Sequence, residues 1–271
     1  MKNELLILIP TYNEIENVEE ILSQILGLEL PADILFIDDN SPDGTGDKLE
    51  QLAEKYSNIL VSHRKGKLGI GSAHVDGINF AYNHSYRLLL TMDCDFSHSP
   101  SEIKDFIKLA EQADIVIGSR FLKKGSLKEW NFLRWSLTHF GHIATRLLLN
   151  MPYDASGAFR LYRLDKISRY FLDNIHSRGY SFFYESLYVL HLNEYRIVEI
   201  PIILPARVYG HSKMRIKDAI QSLLQLLKIY FITKLNYGNF VITEPIISGD
   251  KIVDTQGWDG YWGDNRNNLT L

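Results

Sequence analysis

The sequence predicts an α/β fold built on a doubly wound, mostly parallel sheet, and three observations lead there. Short apolar runs and stretches of helical periodicity alternate five times between Leu5 and Arg120, the pattern of a parallel sheet covered by helices. The apolar runs are continuous rather than alternating, as in strands buried on both faces. Each run then stops in polar or charged residues. In open α/β sheets the ligand lies outside the carboxyl ends of the strands.

Taken in order, Leu5-Leu6-Ile7-Leu8-Ile9 is the first strand, stopped by Pro10 and followed by the polar loop Pro10–Glu14. Val18, Ile21, Leu22, Ile25 and Leu26 give a helix ending at Gly27. Ile34–Ile37 is the second strand and runs into Asp38-Asp39-Asn40-Ser41-Pro42-Asp43-Gly44-Thr45; Leu49, Leu52, Ala53 and Tyr56 mark the next helix. Ile59–Val61 is a third strand, followed by a basic, Gly-containing loop, His63 to Ala73, and a helix over about 72–82. Leu88–Leu90 leads into Met92-Asp93-Cys94-Asp95, a further helix carries Ile103, Phe106, Ile107 and Ala110, and Ile115–Ile117 ends at Gly118-Ser119-Arg120. Beyond it, 130–150 reads as a helix, 158–163 as a strand with one wet face, 181–192 as a helix containing Glu185, 197–204 as an edge strand because of Pro201, and 216–235 as a long amphipathic helix. From Asn236 the chain is Gly- and Asn-rich and acidic, and is expected to form a tail outside the main core.

Composition narrows the function. The 271 residues are 45% hydrophobic and 23% charged with net charge −4, so no global basic field points to nucleic acid. Two local clusters are basic instead. Residues 119–151 hold Arg120, Lys123, Lys124, Lys128, Arg134 and Arg146 against Glu129 alone, and 204–217 hold Arg207, Lys213, Arg215 and Lys217 with no acid. Anionic ligands at particular places are expected there. Cys94, the single cysteine, allows no intrachain disulfide and suits a reducing compartment. The apolar run Leu5–Ile9 is too short for a signal peptide, and 220–232 is interrupted by Gln221, Ser222, Gln225 and Lys228. The expected location is cytoplasmic, including the cytosolic membrane face as a peripheral protein.

Three acidic strand ends, Glu14, Asp38/Asp39 and Asp93/Asp95, converge on one sheet edge if the strands are parallel. Acids gathered this way need a cation or donors to balance them. Nucleotide plus divalent metal fits the inventory, since Mg²⁺ is commonly held by one or two carboxylates together with substrate phosphates. A structural calcium site competes. Gly69-Ile70-Gly71 follows the third strand and lacks a third glycine, which argues against a dinucleotide fingerprint. Cys94, flanked by acids, reads as packing, and His98 as a loop residue.

The residues also carry a resemblance. Pro10-Thr11-Tyr12-Asn13-Glu14, Asp38–Thr45, Arg64-x-x-Lys67-Leu68-Gly69-x-Gly71, Met92-Asp93-Cys94-Asp95-x-Ser97-His98-x-Pro100, Gly118-Ser119-Arg120, Trp130-x-x-x-Arg134, Gly157–Arg163 and Arg207-x-x-Gly210-x-Ser212-Lys213 together resemble glycosyltransferase family 2. Within it, they resemble the dolichol/polyprenol-phosphate mannosyltransferase branch, from about residue 4 to 230. The resemblance implies a GT-A fold over 1–235, with a mixed sheet, a C-terminal amphipathic helix and a tail at 236–271. It implies a nucleotide-sugar donor (GDP-mannose in that branch), a polyprenyl or dolichyl phosphate acceptor, and Mg²⁺ or Mn²⁺. Donor-binding positions fall on Pro10, Tyr12, Glu14, Ile37, Asp39, Asp93, Cys94 and Asp95. The metal falls on Asp95, with Asp93 and Ser97 beside it. Phosphate handling and catalysis fall on Asp93, Asp95, Arg120, Arg207 and Lys213, and the acceptor phosphate on Arg134, Thr138, Arg207 and Ser212. Departures concentrate on the acceptor side: Thr138 stands where Ser is usual, His139 where Arg is common, and Pro205-Ala206 where an acid is usual. Cys94 replaces a small residue.

A saccharide hydroxyl acceptor, as in cell-surface polysaccharide synthesis, would need a general base, for which Asp154 and Glu185 are the candidates. A nucleotidyltransferase would carry its Gly-rich basic loop after the first strand, where Pro10–Glu14 stands here. A non-catalytic nucleotide-sugar binder would have the tail dock on a protein partner.

Overall fold

The computed structural model describes residues 3–123, 125–127, 132–204 and 216–244, leaving aside the side chains of 132–134 and 216. Seven strands form one sheet: β1 (Leu5–Thr11), β2 (Ala32–Asp38), β3 (Ile59–His63), β4 (Leu88–Thr91), β5 (Ile115–Ser119), β6 (Arg160–Arg163) and β7 (Ile197–Pro201), in the order β3-β2-β1-β4-β6-β5-β7. All pairings are parallel except those of β6, which is antiparallel to both neighbours.

Side chains alternate across the sheet, so each strand feeds two core layers. Leu5, Ile7 and Ile9 of β1 pack under α1 (Val18–Leu26), α2 (Thr45–Lys55) and α4 (Ile103–Leu109), whereas Leu6 and Leu8 pack under α3 (Ile70–Asn83) and α6 (Phe182–Leu192). Two further helices, α5 (Phe132–Leu149) and α7 (Ile216–Leu235), touch each other on the α6 side. Leu149, Leu226 and Ile229 belong to that core layer. Among the described residues no helix is long and apolar enough to cross a membrane.

Three expectations need correction. The 158–163 segment has no wet face. Its β6 portion is interior, and Arg160 is fully buried because its guanidinium donates to the carbonyls of Gly157, Ala155 and Phe183 and to the Ser186 hydroxyl. The helix expected at 72 starts at Ile70, since Gly69 and Gly71 let it dock tightly on 178–182. A Cβ on Gly69, at φ +103°, would lie 2.6 Å from the Arg178 carbonyl oxygen, and one on Gly71 2.6 Å from that of Gly179. Last, the chain does not leave the core at Asn236. Tyr237–Phe240 forms a short 3₁₀ turn, Phe240 is buried against Tyr188, and the Asn193 side chain bonds the Phe240 carbonyl and the Ile242 N–H. Only 245–271 of the expected tail lie outside the described residues. The edge position of β7 is as expected.

Candidate active site

Register brings the acidic strand ends together. Thr11 at the end of β1 pairs with Asp38, the Asp39 N–H donates to the Thr11 carbonyl, and the Met92 N–H donates to the Leu8 carbonyl. With β1 between β2 and β4, the segments Pro10–Glu14, Asp38–Asp39 and Asp93–Asp95 share one rim, as the sequence suggests. Ile37 and Cys94 are in this rim but buried in the core, so their backbones are what they can offer a ligand.

The acids differ in what holds them. Asp38 shapes its loop, accepting from the Thr11 hydroxyl and from the Ser41 N–H and hydroxyl. Asp39 accepts from Arg64 Nη1 at 2.5 Å, while Arg64 Nε lies 3.1 Å from an Asp76 oxygen and its Nη2 donates to Ser72. Burial pushes the carboxyls of Asp39 and Asp76 up, and Arg64 offsets only part of it. At Glu14, the N–H donates to the Thr45 hydroxyl and the carboxylate accepts from the Asn17 amide, fixing the entry to α1. Lys67 Nζ sits 4.1 Å from the centre of the Tyr12 ring, a cation–π contact joining two loops of the rim.

In the turn after β4, the Asp93 side chain is 29% exposed and Asp95 is 7% exposed. Ser97 donates both its N–H and its hydroxyl to Asp95 Oδ1, orienting the carboxylate. His98 is not a bland loop residue: it is buried, and its Nδ1 accepts the Asp93 N–H at 2.9 Å. Among the described residues no three acids, histidines or cysteines form a complete metal cage. Two hard carboxylates on one turn nonetheless fit a Mg²⁺ or Mn²⁺ whose remaining ligands are diphosphate oxygens and water.

Across the rim, Arg120 follows β5. Its backbone N–H, Nε and Nη2 all donate to the Asp154 carboxylate, and Nη2 also reaches Ser156. Nη1 makes no hydrogen bond among the described residues. The pair is deeply buried, with side chains 9% and 1% exposed. Burial alone would push Asp154 up, but the guanidinium and the Arg120 N–H outweigh it and hold the carboxyl below its usual range. Asp154 is thereby committed to Arg120. Glu185 is likewise committed, accepting the N–H groups of His176 and Ser177. The Asp154–Arg120 pairing, 34 residues apart in sequence, left no local signal.

Arg120, Phe121, Lys123, Trp135 and His139 border a cleft of 260 Å³. Thr138 is half-buried on the same helix α5. Arg207, Ser212, Lys213 and the Arg134 side chain lie outside the described residues. α5 and α7 expose apolar side chains beside basic ones: Phe140, Ile143 and Leu147 next to Arg146 on one, and Ile220, Leu224, Phe231 and Leu235 among Lys217, Lys228 and Lys234 on the other, with Leu147 at 78% and Leu235 at 87% exposure.

Comparison with known proteins agrees with this architecture. Residues 6–171 match the family described as Glycosyl transferase family 2. The chain is 35% identical over 210 residues to an undecaprenyl-phosphate mannosyltransferase of Micrococcus luteus, covering 77% of this chain and 86% of the relative. It is 34% identical over 212 residues to a polyprenol monophosphomannose synthase of Mycolicibacterium smegmatis, covering 77% and 80%. In fold it is similar to mannosyl-3-phosphoglycerate synthase from Rubrobacter xylanophilus (TM-score 0.60, 15% identity, 89% of this chain and 77% of that one). It is also similar to a mannosyltransferase from Pyrobaculum calidifontis in complex with GDP-Man and Mn²⁺ (TM-score 0.51, 15% identity, 87% and 65%).

Proposed function

We propose, for a chain that belongs to glycosyl transferase family 2, that it is an inverting mannosyltransferase moving mannose from GDP-mannose to a polyprenyl phosphate with Mg²⁺ or Mn²⁺ at Asp95 and Asp93. The observation that carries this reading is the common rim of Asp39, after β2, with Asp93 and Asp95, after β4, on either side of β1, and with Arg120 at the end of β5 on the same rim.

In this reading Asp39 accepts hydrogen bonds from the nucleoside, and the backbones of Pro10, Ile37 and Cys94 line its seat beside Tyr12 and Glu14. The cation, when bound, neutralises charge that develops on the departing diphosphate. Asp154 presents Arg120 so that its remaining nitrogen can meet a phosphate oxygen. The family pattern alone assigns Arg207 and Lys213 to the diphosphate, and Arg134, Thr138, Arg207 and Ser212 to the acceptor.

The commitments of Asp154 and Glu185 favour a lipid phosphate over a saccharide hydroxyl as acceptor. A phosphate is already anionic at pH 7 and attacks without a general base, whereas a hydroxyl requires one. The cleft bordered by Arg120 and Lys123 supports a phosphate seat beside the rim. The exposed apolar side chains of α5 and α7, with basic ones beside them, support peripheral docking on the cytosolic membrane face that holds such a lipid.

The test is a donor screen that measures nucleoside diphosphate release, with and without Mn²⁺ and with and without polyprenyl phosphate. GDP release from GDP-mannose that needs both is expected. Release from a uridine-linked sugar instead would replace the donor. Release that ignores the lipid phosphate but follows an added saccharide would replace the acceptor.

A further inference from the structure

The carboxylates of Asp93 and Asp95 project from a turn that belongs to neither the strand before it nor the helix after it. Pairing of β4 with β1 ends just short of the turn, with Met92 donating to Leu8. Three residues after Asp93, Phe96 adopts φ +59°, a conformation unusual for a bulky side chain. Such a turn holds its shape only if surrounding contacts over-determine it.

His98 accepts the Asp93 N–H inside this turn. Its Nδ1 lies 2.9 Å from the Asp93 nitrogen. Since the peptide N–H is the donor, Nδ1 carries no proton and the neutral ring holds its hydrogen on Nε2. The Asp93 carboxylate lies 3.9 Å from the same nitrogen. The imidazole is buried and stacked on Phe159 at 4.9 Å, and Phe159 packs on Phe106 at 4.2 Å. An aromatic column thus runs from Phe106 of α4 through Phe159, the residue before β6, and ends on the backbone of Asp93. Ser97 fixes the second carboxylate from its own side of the turn.

We propose that His98 is a positioning residue: through Nδ1 it locks the Asp93 backbone and so sets the spacing of the Asp93 and Asp95 carboxylates for a divalent cation. The inference rests on the reading of those two acids as the cation seat.

Two variants separate the hydrogen bond from the packing. His98→Phe keeps an aromatic ring on Phe159 but removes the acceptor. His98→Asn gives up the stack but can place its amide oxygen where Nδ1 stands. Mn²⁺ binding is read by the loss of the free-ion electron paramagnetic resonance signal, with and without GDP, on protein whose fold is checked by circular dichroism. Supporting groups behind metal ligands are commonly worth 10–100-fold in affinity, so His98→Phe is expected to weaken Mn²⁺ binding about 10-fold or more and His98→Asn to stay within about threefold of the parent. Parent-like binding by His98→Phe overturns the inference, as does His98→Asn binding as weakly as His98→Phe. If His98→Phe does not fold, the His98→Asn arm still decides, since a roughly 10-fold loss there sinks the acceptor role. A parent protein that takes up no Mn²⁺ even with GDP overturns the cation seat itself, and the inference with it.

Discussion

Two buried arginine–carboxylate pairs flank the rim, and they are built to different ends. On the β2 side, Arg64 is shared between Asp39 and Asp76 and also serves Ser72 and the Gly69 carbonyl. On the β5 side, Arg120 spends its backbone N–H and two guanidinium nitrogens on Asp154. Burial wins over the cation at Asp39 and loses to it at Asp154. Asp39 is held by the backbone N–H of Gly69 and by an arginine that it shares with Asp76, so a further donor can still stabilise its charge. A carboxylate saturated by one partner is scaffold. Burial alone does not set which way a carboxylate shifts; the donors gathered around it decide whether its charge is held.

The largest effect is expected at the turn between these two pairs. Asp95→Ala and Asp93→Ala should each lower transfer by about 100-fold or more, because a charge-stabilising group at the reacting phosphates is lost. Near-parental GDP release by either variant, in a protein of unchanged melting temperature, would remove that residue from the cation seat.

Next comes Asp154→Asn, which leaves a buried guanidinium without its carboxylate. Breaking such a pair on one side costs roughly 3–5 kcal/mol, to be read from denaturant unfolding. The pH dependence follows from the direction of the shift. Asp154 titrates below its ordinary 3.8 in the folded protein, so its contribution is present above that value and is lost as pH falls through the folded one. The Asn variant should therefore lose the part of the acid-unfolding limb that lies below 3.8.

Asp39→Asn sharpens the contrast. Arg64 keeps Asp76, and the penalty of a buried, raised carboxyl disappears, so stability near pH 7 should hold or rise. Asp39 has the opposite sign of pH dependence: its contribution is full at low pH and is lost as pH rises through its raised folded value. Donor binding should suffer instead, with KM up by about 10-fold and kcat changed little, as for a lost hydrogen bond to a charged group. A stability loss matching that of Asp154→Asn would erase the distinction between the two pairs.

The smallest effect on turnover is expected away from the rim. Leu147→Ser with Phe231→Ser removes exposed apolar surface from α5 and α7, so release of GDP with a short, water-soluble acceptor should be unchanged. Co-sedimentation with anionic vesicles should fall. Undiminished vesicle binding would take these faces out of membrane contact.

The sequence by itself determined whatever rests on local order. Continuous apolar runs fixed the parallel strands, helical spacing fixed the helices between them, and the acids after Ile37 and Met92 fell on one edge, because strand direction carries each run's end to the same side of the sheet. The tertiary structure alone decided which partners the charges chose. Arg160 reads in sequence as a wet-face residue, yet β6 enters antiparallel between β4 and β5 and α6 closes over its guanidinium. Asp154 reads as a candidate base until the fold lays Arg120 across it, and His98 reads as loop until Phe159 of β6's approach stacks on its ring. Each of these pairings spans tens of residues. Local spacing carries no record of such contacts, because the free energy of satisfying a buried charge or N–H is settled only when distant segments close around it.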